Sequence, residues 1–458
     1  MTFTESYNYL LSLQSLPRKE YMRDPKHCNI YLKRLQFFLD ILGNPEKKIP
    51  HYIHVTGTSG KGSICLMLNS ILTEARFKTG LSISPHPVSI TERWQIGKKI
   101  MTKKEFIELI EFIKPKLDEY VRTTPYDMLS FFEICEAIGF LYFVNKKVDW
   151  AILEVGCGGR YDASNVIPYK DIAVITNIGL DHTNILGNDK KLIAYEKAGI
   201  INNDCEVFTM EKNQAILKIL KQEAKKYSKN INKILTKYYL INSDLFGNQF
   251  RYDGDEYKLS ILGEHQIENS ILAIKIAKHL NIPESTIKKG LQKTKLPLRM
   301  EIVSKNPRII LDGAHNPDKI KTTVNAVKNL LSTSPLLYKE RDRVRYRNVH
   351  LIVAFTADKN ISKMIKQLIT LNPQSIACTR YTNNPFRIPA NPKDLADKFK
   401  KLLPKSKIEV FLDPQDAFAW SKNNLSGVAL TKPKKKQADK NDLLLVTGSM
   451  FLAGELKI

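Results

Sequence analysis

The run His54-Val55-Thr56-Gly57-Thr58-Ser59-Gly60-Lys61-Gly62-Ser63 carries the residue types that hold a polyphosphate. Gly57, Gly60 and Gly62 lack a Cβ, so the backbone can curl and aim several N–H groups at one anion. Thr58 and Ser59 keep the turn small and polar. Lys61 can reach the outer phosphates, and the Ser63 hydroxyl can ligate a magnesium ion. Before the run lies the apolar stretch Tyr52-Ile53; after it, Cys65, Leu66, Leu68, Ile71 and Leu72 follow a helical period. Strand, loop and helix are the setting such a loop requires, and the helix N-terminus adds partial positive charge. Gly62 stands between the lysine and the hydroxyl, so the loop is not the generic G-x-x-x-x-G-K-[ST].

Other residues capable of chemistry fall at the ends of apolar runs. Glu154 closes Val148–Leu153, and an acid at the C-terminal end of a buried parallel strand is placed to hold a metal. The glycine-rich Val155–Asp162 follows, in which Arg160 can meet an anion. Cys157 has no neighbouring histidine in sequence to act as base and reads as a small filler. His182 follows the strand Asp171–Asn177, where a structural and a metal role compete. On local pattern alone Lys197 is a helix lysine. His265, Gln266 and Asn269 share about one face of a helix's first turn; they either read an adenine or cap the helix. Asp312 and His315 form part of a polar cluster after another strand.

These residues need a scaffold, and the pattern along the chain supplies one. At 458 residues two domains are expected. Residues 1 to about 50 read as helical and amphipathic, ended by Gly43 and Pro45. Strands are expected at Thr79–Ser84, Val148–Leu153 and Asp171–Asn177, and helices at Lys103–Tyr120 and Phe131–Val144. A small β-excursion covers Phe250–Tyr252 and Tyr257–Leu259. Beyond residue 302 the β-α pattern restarts, with strands at Arg308–Leu311, Val349–Phe355, Ser375–Thr379, Ile408–Leu412 and Leu443–Thr447. The fold class is α/β: a phosphate-loop central domain over residues 1–302 and a second, smaller doubly wound Rossmann-like domain over 303–458. Two basic segments, 339–347 and 432–440, read as solvated loops.

Composition narrows the function. The six cysteines are scattered without a C-x-x-C pair, which argues against zinc or a disulfide framework and for a reducing cytoplasm. No signal peptide and no membrane-spanning apolar run is visible. The net charge of +24 fits nucleic-acid binding, polyanionic small substrates or compositional drift. Lysines spread along the chain, with no basic stripe interleaved with aromatics, favour drift with anionic ligands over nucleic acid.

The ordered set of motifs resembles the folylpolyglutamate synthases, including the bifunctional dihydrofolate synthases, within the Mur-type ATP-dependent amide ligases. The motifs are His54–Ser63, Ser84-Pro85-His86, Thr91-Glu92-Arg93, Phe132-Glu133, Glu154–Asn165, Asp181–Thr183, Glu196–Ile200, Gly263–Asn269, Asp312–Pro317 and Gly448-Ser449. The inserted Gly62 separates this pattern from the cell-wall Mur ligases. The resemblance implies that Lys61 and the loop hold ATP and that Ser63 and Glu154 hold one magnesium. It implies that His182 and a carbamylated Lys197 hold a second. Asn269, Arg299, Asp312 and His315 would contact the nucleotide. Ser84, Pro85, His86, Glu92, Arg93 and Phe132 would face the pterin-bearing substrate, with Arg160 also on the substrate side. The implied catalytic set is Lys61, Glu154, His182 and Lys197. The implied reaction activates a folate carboxylate as an acyl phosphate, which the amine of L-glutamate attacks. Dihydropteroate is a further candidate acceptor. A cytoplasmic monomer that binds neither nucleic acid nor membrane is expected. Three departures stand out: Ser59 for the usual asparagine, Leu298 for the usual glycine before Arg299, and Cys157 for an aliphatic residue. Another Mur-type ligase, acting on a cell-wall or storage peptide precursor, is the alternative. A nucleic-acid-binding NTPase and a non-catalytic scaffold are more distant ones.

Overall fold

The computed structural model describes residues 1–15, 27–180, 183–305, 307–332, 348–384, 387–425 and 442–457. Asp181, His182 and both basic segments, 339–347 and 432–440, lie outside the described residues. By internal contacts the chain forms two compact units: Met1–Tyr238 with Glu268–Thr294, and Tyr239–Ile267 with Lys295–Ile458. The division therefore differs from a single cut at 302. The β-excursion belongs to the second unit, and the first resumes at Glu268 for two helices.

The first unit is built on eight strands: β1 (His51–Thr56), β2 (Thr79–Ser82), β3 (Trp94–Ile96), β4 (Lys99–Ile100), β5 (Trp150–Glu154), β6 (Ile172–Ile175), β7 (Glu206–Thr209) and β8 (Ile231–Lys233). Their order is β4-β3-β2-β5-β1-β6-β7-β8. The strands from β2 to β8 run parallel, and β3 and β4 add an antiparallel edge. Strands β1, β2, β5 and β6 are buried almost throughout, which explains their continuous apolar reading. β1 lies between β5 and β6, with Val55 opposite Glu154 and Thr56 opposite Ile175. That register brings the C-terminal ends of three strands together, where the phosphate loop begins.

Helix Lys61–Glu74 leaves that loop and is buried along most of its length. It crosses helix Glu284–Gln292 closely: a Cβ on Gly290 would fall 2.6 Å from the Ile71 Cα, and Ser70 Oγ donates to the Gly290 carbonyl at 2.7 Å. The expected helices are found at Lys103–Thr123 and Phe131–Asn145. Each begins with a reciprocal cap, Thr102 with Glu105 and Ser130 with Glu133, which satisfies N–H groups that lack intrahelical partners. The N-terminal region holds two separate helices among the described residues, Phe3–Ser12 and Ile30–Ile41.

In the second unit, β9 (Tyr239–Asp244), β10 (Gly247–Tyr252) and β11 (Asp255–Leu259) form an antiparallel meander. β12 (Glu301–Lys305), β13 (Arg308–Leu311), β14 (Asn348–Val353), β15 (Ser375–Cys378), β16 (Lys407–Val410) and β17 (Asp442–Thr447) form a sheet ordered β12-β13-β17-β14-β15-β16. All but the β12 edge pair are parallel. Apolar clusters around Leu351 and Leu445, and around Ile352 and Leu444, reflect alternate residues serving the two faces.

Candidate active site

The phosphate loop is held from the β6 side. Thr58 N–H donates to the Asn177 carbonyl and Ser59 N–H to Asn177 Oδ1, both at 2.9 Å. Thr176 Oγ1 donates to the Ser59 carbonyl at 2.6 Å. Thr58 Oγ1 accepts from Gly179 N–H at 2.8 Å and donates to the Gly179 carbonyl at 3.1 Å. Two glycines are obligatory here. Gly57 has φ 142°, and a Cβ on it would lie 1.8 Å from Thr176 Oγ1. Gly60 has φ 86°, and a Cβ on it would lie 2.5 Å from Asn269 Oδ1. The Asn269 side chain therefore reaches the loop, which favours its nucleotide-side reading over a simple cap.

Lys61 begins the helix, and its Nζ donates to the Gly57 carbonyl at 3.0 Å. Lys197, near the end of helix Lys190–Ala198, donates to the same oxygen at 3.0 Å and is 2% exposed. It is thus not a surface lysine: two ammonium groups converge on one carbonyl of the loop. Glu154, at the end of β5, is buried, and its Oε2 accepts the Ser84 N–H at 3.1 Å. Ser63 is buried in the first helical turn.

The segment after β2 gathers the proposed acceptor residues. Ser84 and Pro85 follow the strand, and Glu92 Oε2 accepts the Val88 N–H at 3.1 Å. Arg93 is buried, and its guanidinium lies 5.8 Å from the centroid of the Phe132 ring. The His86 ring lies 6.4 Å from that of Phe131. Burial, reinforced by the Arg93 charge, takes His86 down to about 3, so its imidazole is neutral. Phe132 is 56% exposed, a large apolar face left at the surface.

Arg160 is engaged elsewhere. Its Nη2 meets Glu223 Oε2 at 2.7 Å and the Tyr195 carbonyl at 3.0 Å, and its guanidinium stacks 3.9 Å from the Tyr195 ring centroid. This is a clamp between the glycine loop and the neighbouring helices, a role the sequence did not signal. Cys157 N–H donates to Asp162 Oδ2 at 2.9 Å, so Cys157 contributes to loop closure through its backbone.

Arg299, Asp312 and His315 belong to the second unit. Asp312 is buried, which pushes its carboxyl up against the pull of Thr323 Oγ1 at 2.6 Å and the N–H groups of Met300 at 3.0 Å and Ala314 at 3.2 Å. His315 Nδ1 meets the Gly313 carbonyl at 2.7 Å, and Lys319 Nζ lies 3.0 Å from its Nε2. Nδ1 therefore carries the proton, and Nε2 accepts. Arg299 Nη1 donates to the Pro297 carbonyl at 3.3 Å. The supporting pair Thr176-Asn177 escaped the sequence reading, although a polar pair at a buried strand's C-terminal end is a usable signal.

A glycine-rich loop at the C-terminal edge of a parallel sheet, with a lysine, a hydroxyl and a strand-end acid, is the arrangement of a phosphate-binding α/β protein. Residues 55–277 match the Mur ligase middle domain, and residues 292–457 match the dihydrofolate synthetase C-terminal domain. The chain is 31% identical over 442 residues to dihydrofolate synthase/folylpolyglutamate synthase of Bacillus subtilis, covering 93% of this chain and 94% of that one. It therefore belongs to the dihydrofolate synthase/folylpolyglutamate synthase family. The solved folylpolyglutamate synthase of Thermotoga maritima is 28% identical, with a TM-score of 0.78 over 99% of this chain and 95% of that one. A Mycobacterium tuberculosis folylpolyglutamate synthase complexed with ADP and AMPPCP, 24% identical, shares the fold at a TM-score of 0.81 over 99% of this chain and 97% of that one.

Proposed function

We propose that this chain is an ATP-dependent ligase that joins L-glutamate to the carboxylate of a tetrahydrofolate or folylpolyglutamate through an acyl phosphate. The observation that carries the reading is the convergence of Lys61 and Lys197 on the Gly57 carbonyl, within a chain of this family. A carboxylate is a poor electrophile. Transfer of the γ-phosphoryl group makes it an acyl phosphate, the glutamate amine attacks its carbonyl carbon, and phosphate leaves. Lys61 and the first-turn N–H groups oppose the negative charge that develops on the transferring group. Ser84 N–H on Glu154 ties the acceptor segment to the nucleotide side of the sheet.

Magnesium fits the donors present, because Ser63 and Glu154 supply oxygen ligands of the kind that ion prefers. Bound there, it would offset phosphate charge. A second ion is proposed at His182 and Lys197. A lysine ammonium has donors only, so Lys197 would serve as its carbamate: its neutral amine adds to carbon dioxide and loses a proton. Carbamylation would also leave Lys61 as the one ammonium donor of these two on the Gly57 carbonyl. Asn269, Arg299, Asp312 and His315 are proposed nucleotide contacts. Ser84, Pro85, His86, Glu92, Arg93 and Phe132 are proposed acceptor contacts, and Arg160 is proposed to hold the loop beside them. The working enzyme is proposed to be a cytoplasmic monomer; no described helix is long and apolar enough to cross a membrane.

The test is ADP release with glutamate, comparing tetrahydrofolate and dihydropteroate as acceptors. Release that needs both glutamate and a folate acid is expected. Turnover with dihydropteroate would extend the activity to dihydrofolate synthesis. ATP turnover indifferent to folates, or dependent on a cell-wall peptide precursor, overturns the reading.

A further inference from the structure

A second buried polar cluster lies beneath the glycine loop. Lys170, between the loop and β6, is 2% exposed, and its Nζ faces three acceptors. These are Asn165 Oδ1 at 2.7 Å, the Ile200 carbonyl at 2.9 Å and His54 Nδ1 at 3.3 Å. An ammonium has three hydrogens, so each acceptor can be matched.

From Lys170 the bonds run in two branches. His54 is fully buried, and burial with the Lys170 charge keeps its imidazole neutral. Since Nδ1 accepts from Lys170, the proton sits on Nε2, which donates to Ser164 Oγ at 2.8 Å. Ser164 Oγ then donates to Asp162 Oδ1, and Asp162 Oδ2 accepts the Cys157 N–H at 2.9 Å. In the other branch Asn165 accepts from Lys170, and its Nδ2 donates to the carbonyls of Arg160 and Gly199, each at 3.1 Å. Every donor in both branches has an acceptor. The ends are the strand that leads into the phosphate loop, the loop Cys157–Asp162, and the chain just after the helix that bears Lys197.

We propose that Lys170 is a positioning residue for the ligase reaction: its three donors fix the Nε2–H tautomer of His54 and lock the Cys157–Asp162 loop and the end of the Lys197 helix in register with the phosphate loop. This rests on the functional reading above. Burial, the dominant influence on Lys170, takes it down to about 7, while the three acceptors favour the ammonium. The other titratable group acting on it is Cys205, whose thiol is itself held up by burial. The phosphate loop has its own anchors in Thr176 and Asn177, so loss of Lys170 should fall on the catalytic step served by Lys197 and the Cys157–Asp162 loop more than on ATP binding.

Lys170→Met keeps an unbranched apolar side chain, one atom shorter, and deletes all three donors. The expected result is a loss of about tenfold or more in kcat/KM for the folate acid, the scale of a modest misplacement of reacting groups, with KM for ATP near wild type. Nitrogen-15 NMR of His54 should show the Nε2–H tautomer in the wild type and its loss in Lys170→Met. Should Lys170→Met not fold, Ser164→Ala cuts the branch between His54 and Asp162, and the same loss in kcat/KM is expected. Wild-type kinetics in a folded Lys170→Met or, failing that, in Ser164→Ala overturns the proposal. So does an Nδ1–H His54 in the wild type. The tautomer is read without turnover. Absence of glutamate-dependent ADP release by the wild type would therefore fell the functional reading alone, leaving the NMR result to decide the arrangement around Lys170.

Discussion

Lys61 and Lys197 share the Gly57 carbonyl, and an ammonium has donors only, so Lys197 can ligate a metal only if it changes its charge. Lys197→Ala should therefore be nearly inactive, and a short carboxylic acid in the buffer should partly restore turnover by filling the space of a carbamate. Bicarbonate-labelling NMR that finds a free ammonium in the nucleotide-bound, active enzyme would return Lys197 to a structural role. Leu298 presents a different conflict. Its φ of 56° lies in the left-handed region, yet the side chain is 1% exposed and packs in the core around Leu311 and Val446. Left-handed backbone costs a non-glycine residue roughly 1–2 kcal/mol. Truncating a buried leucine costs about 2–5 kcal/mol. Packing should win, so Leu298→Gly is expected to lower stability in urea unfolding despite relieving the backbone; a stabilised variant would show that strain dominates. At this scale the sequence was most legible where chemistry is local. The loop from Gly57 to Ser63 could be read directly because glycine, lysine and hydroxyl act within one turn. The burial of Lys197 could not, because it depends on a loop and a helix 140 residues apart in sequence meeting at one oxygen.

Helix Phe131–Asn145 shows how an element carries several constraints at once. Glu133 closes the cap with Ser130 and also receives Arg34 on both oxygens, at 2.9 and 2.6 Å. Arg34 is fully buried and also meets Asp127 at 2.7 Å. Removing one member of a buried ion pair leaves the others uncompensated, at about 3–5 kcal/mol. Arg34→Met should lose stability on that scale in urea unfolding, and an effect within error would mean water compensates the acids. One helical turn beyond Glu133, Glu136 is 7% exposed, and burial pushes its carboxyl up to about 8, opposed by Arg93 and aided by Asp162. Between the ordinary carboxylate range and that value the folded protein holds a proton that the unfolded chain has released. Stability therefore falls as pH rises through this window. Between pH 5 and pH 8 the wild type should lose stability relative to Glu136→Gln in thermal unfolding, since the buried neutral His54 and His86 act in the opposite direction equally in both; parallel profiles would place the proton elsewhere. The existence of this helix was plain from its apolar run. Its buried acids were not, since the groups that act on them come from Arg34 on helix Ile30–Ile41, from Arg93 and from Asp162. Likewise the expected strands were found within a residue or two, Arg308–Leu311 among them, while the edge strands β3, β4 and β12 lie in short mixed runs with weak periodicity.

For the whole chain, the sequence conveyed two α/β parts but not that Tyr239–Ile267 would group with the second, because an antiparallel meander declares its own hairpins and not the sheet it accompanies. The charge of the molecule is the other global property, with 71 basic residues against 47 acidic. Many lysines are spent in local pairs, such as Lys293 with Glu74 at 2.8 Å, Lys226 with Glu223 at 2.6 Å and Lys457 with Glu301 at 2.9 Å. Pairs exposed on both sides are worth little individually. A protein that neutralises many nucleic-acid phosphates loses affinity with a slope of about −0.9 per contact in log K against log salt. A ligase binding one ATP and one folate should show a much shallower dependence of KM on salt. The expected outcome is ADP release that depends weakly on potassium chloride between low and physiological concentration and does not change when DNA or RNA is added. Stimulation by either polymer, with a steep salt slope, would instead mean that the excess positive charge is a nucleic-acid surface and that the phosphate loop serves a different reaction.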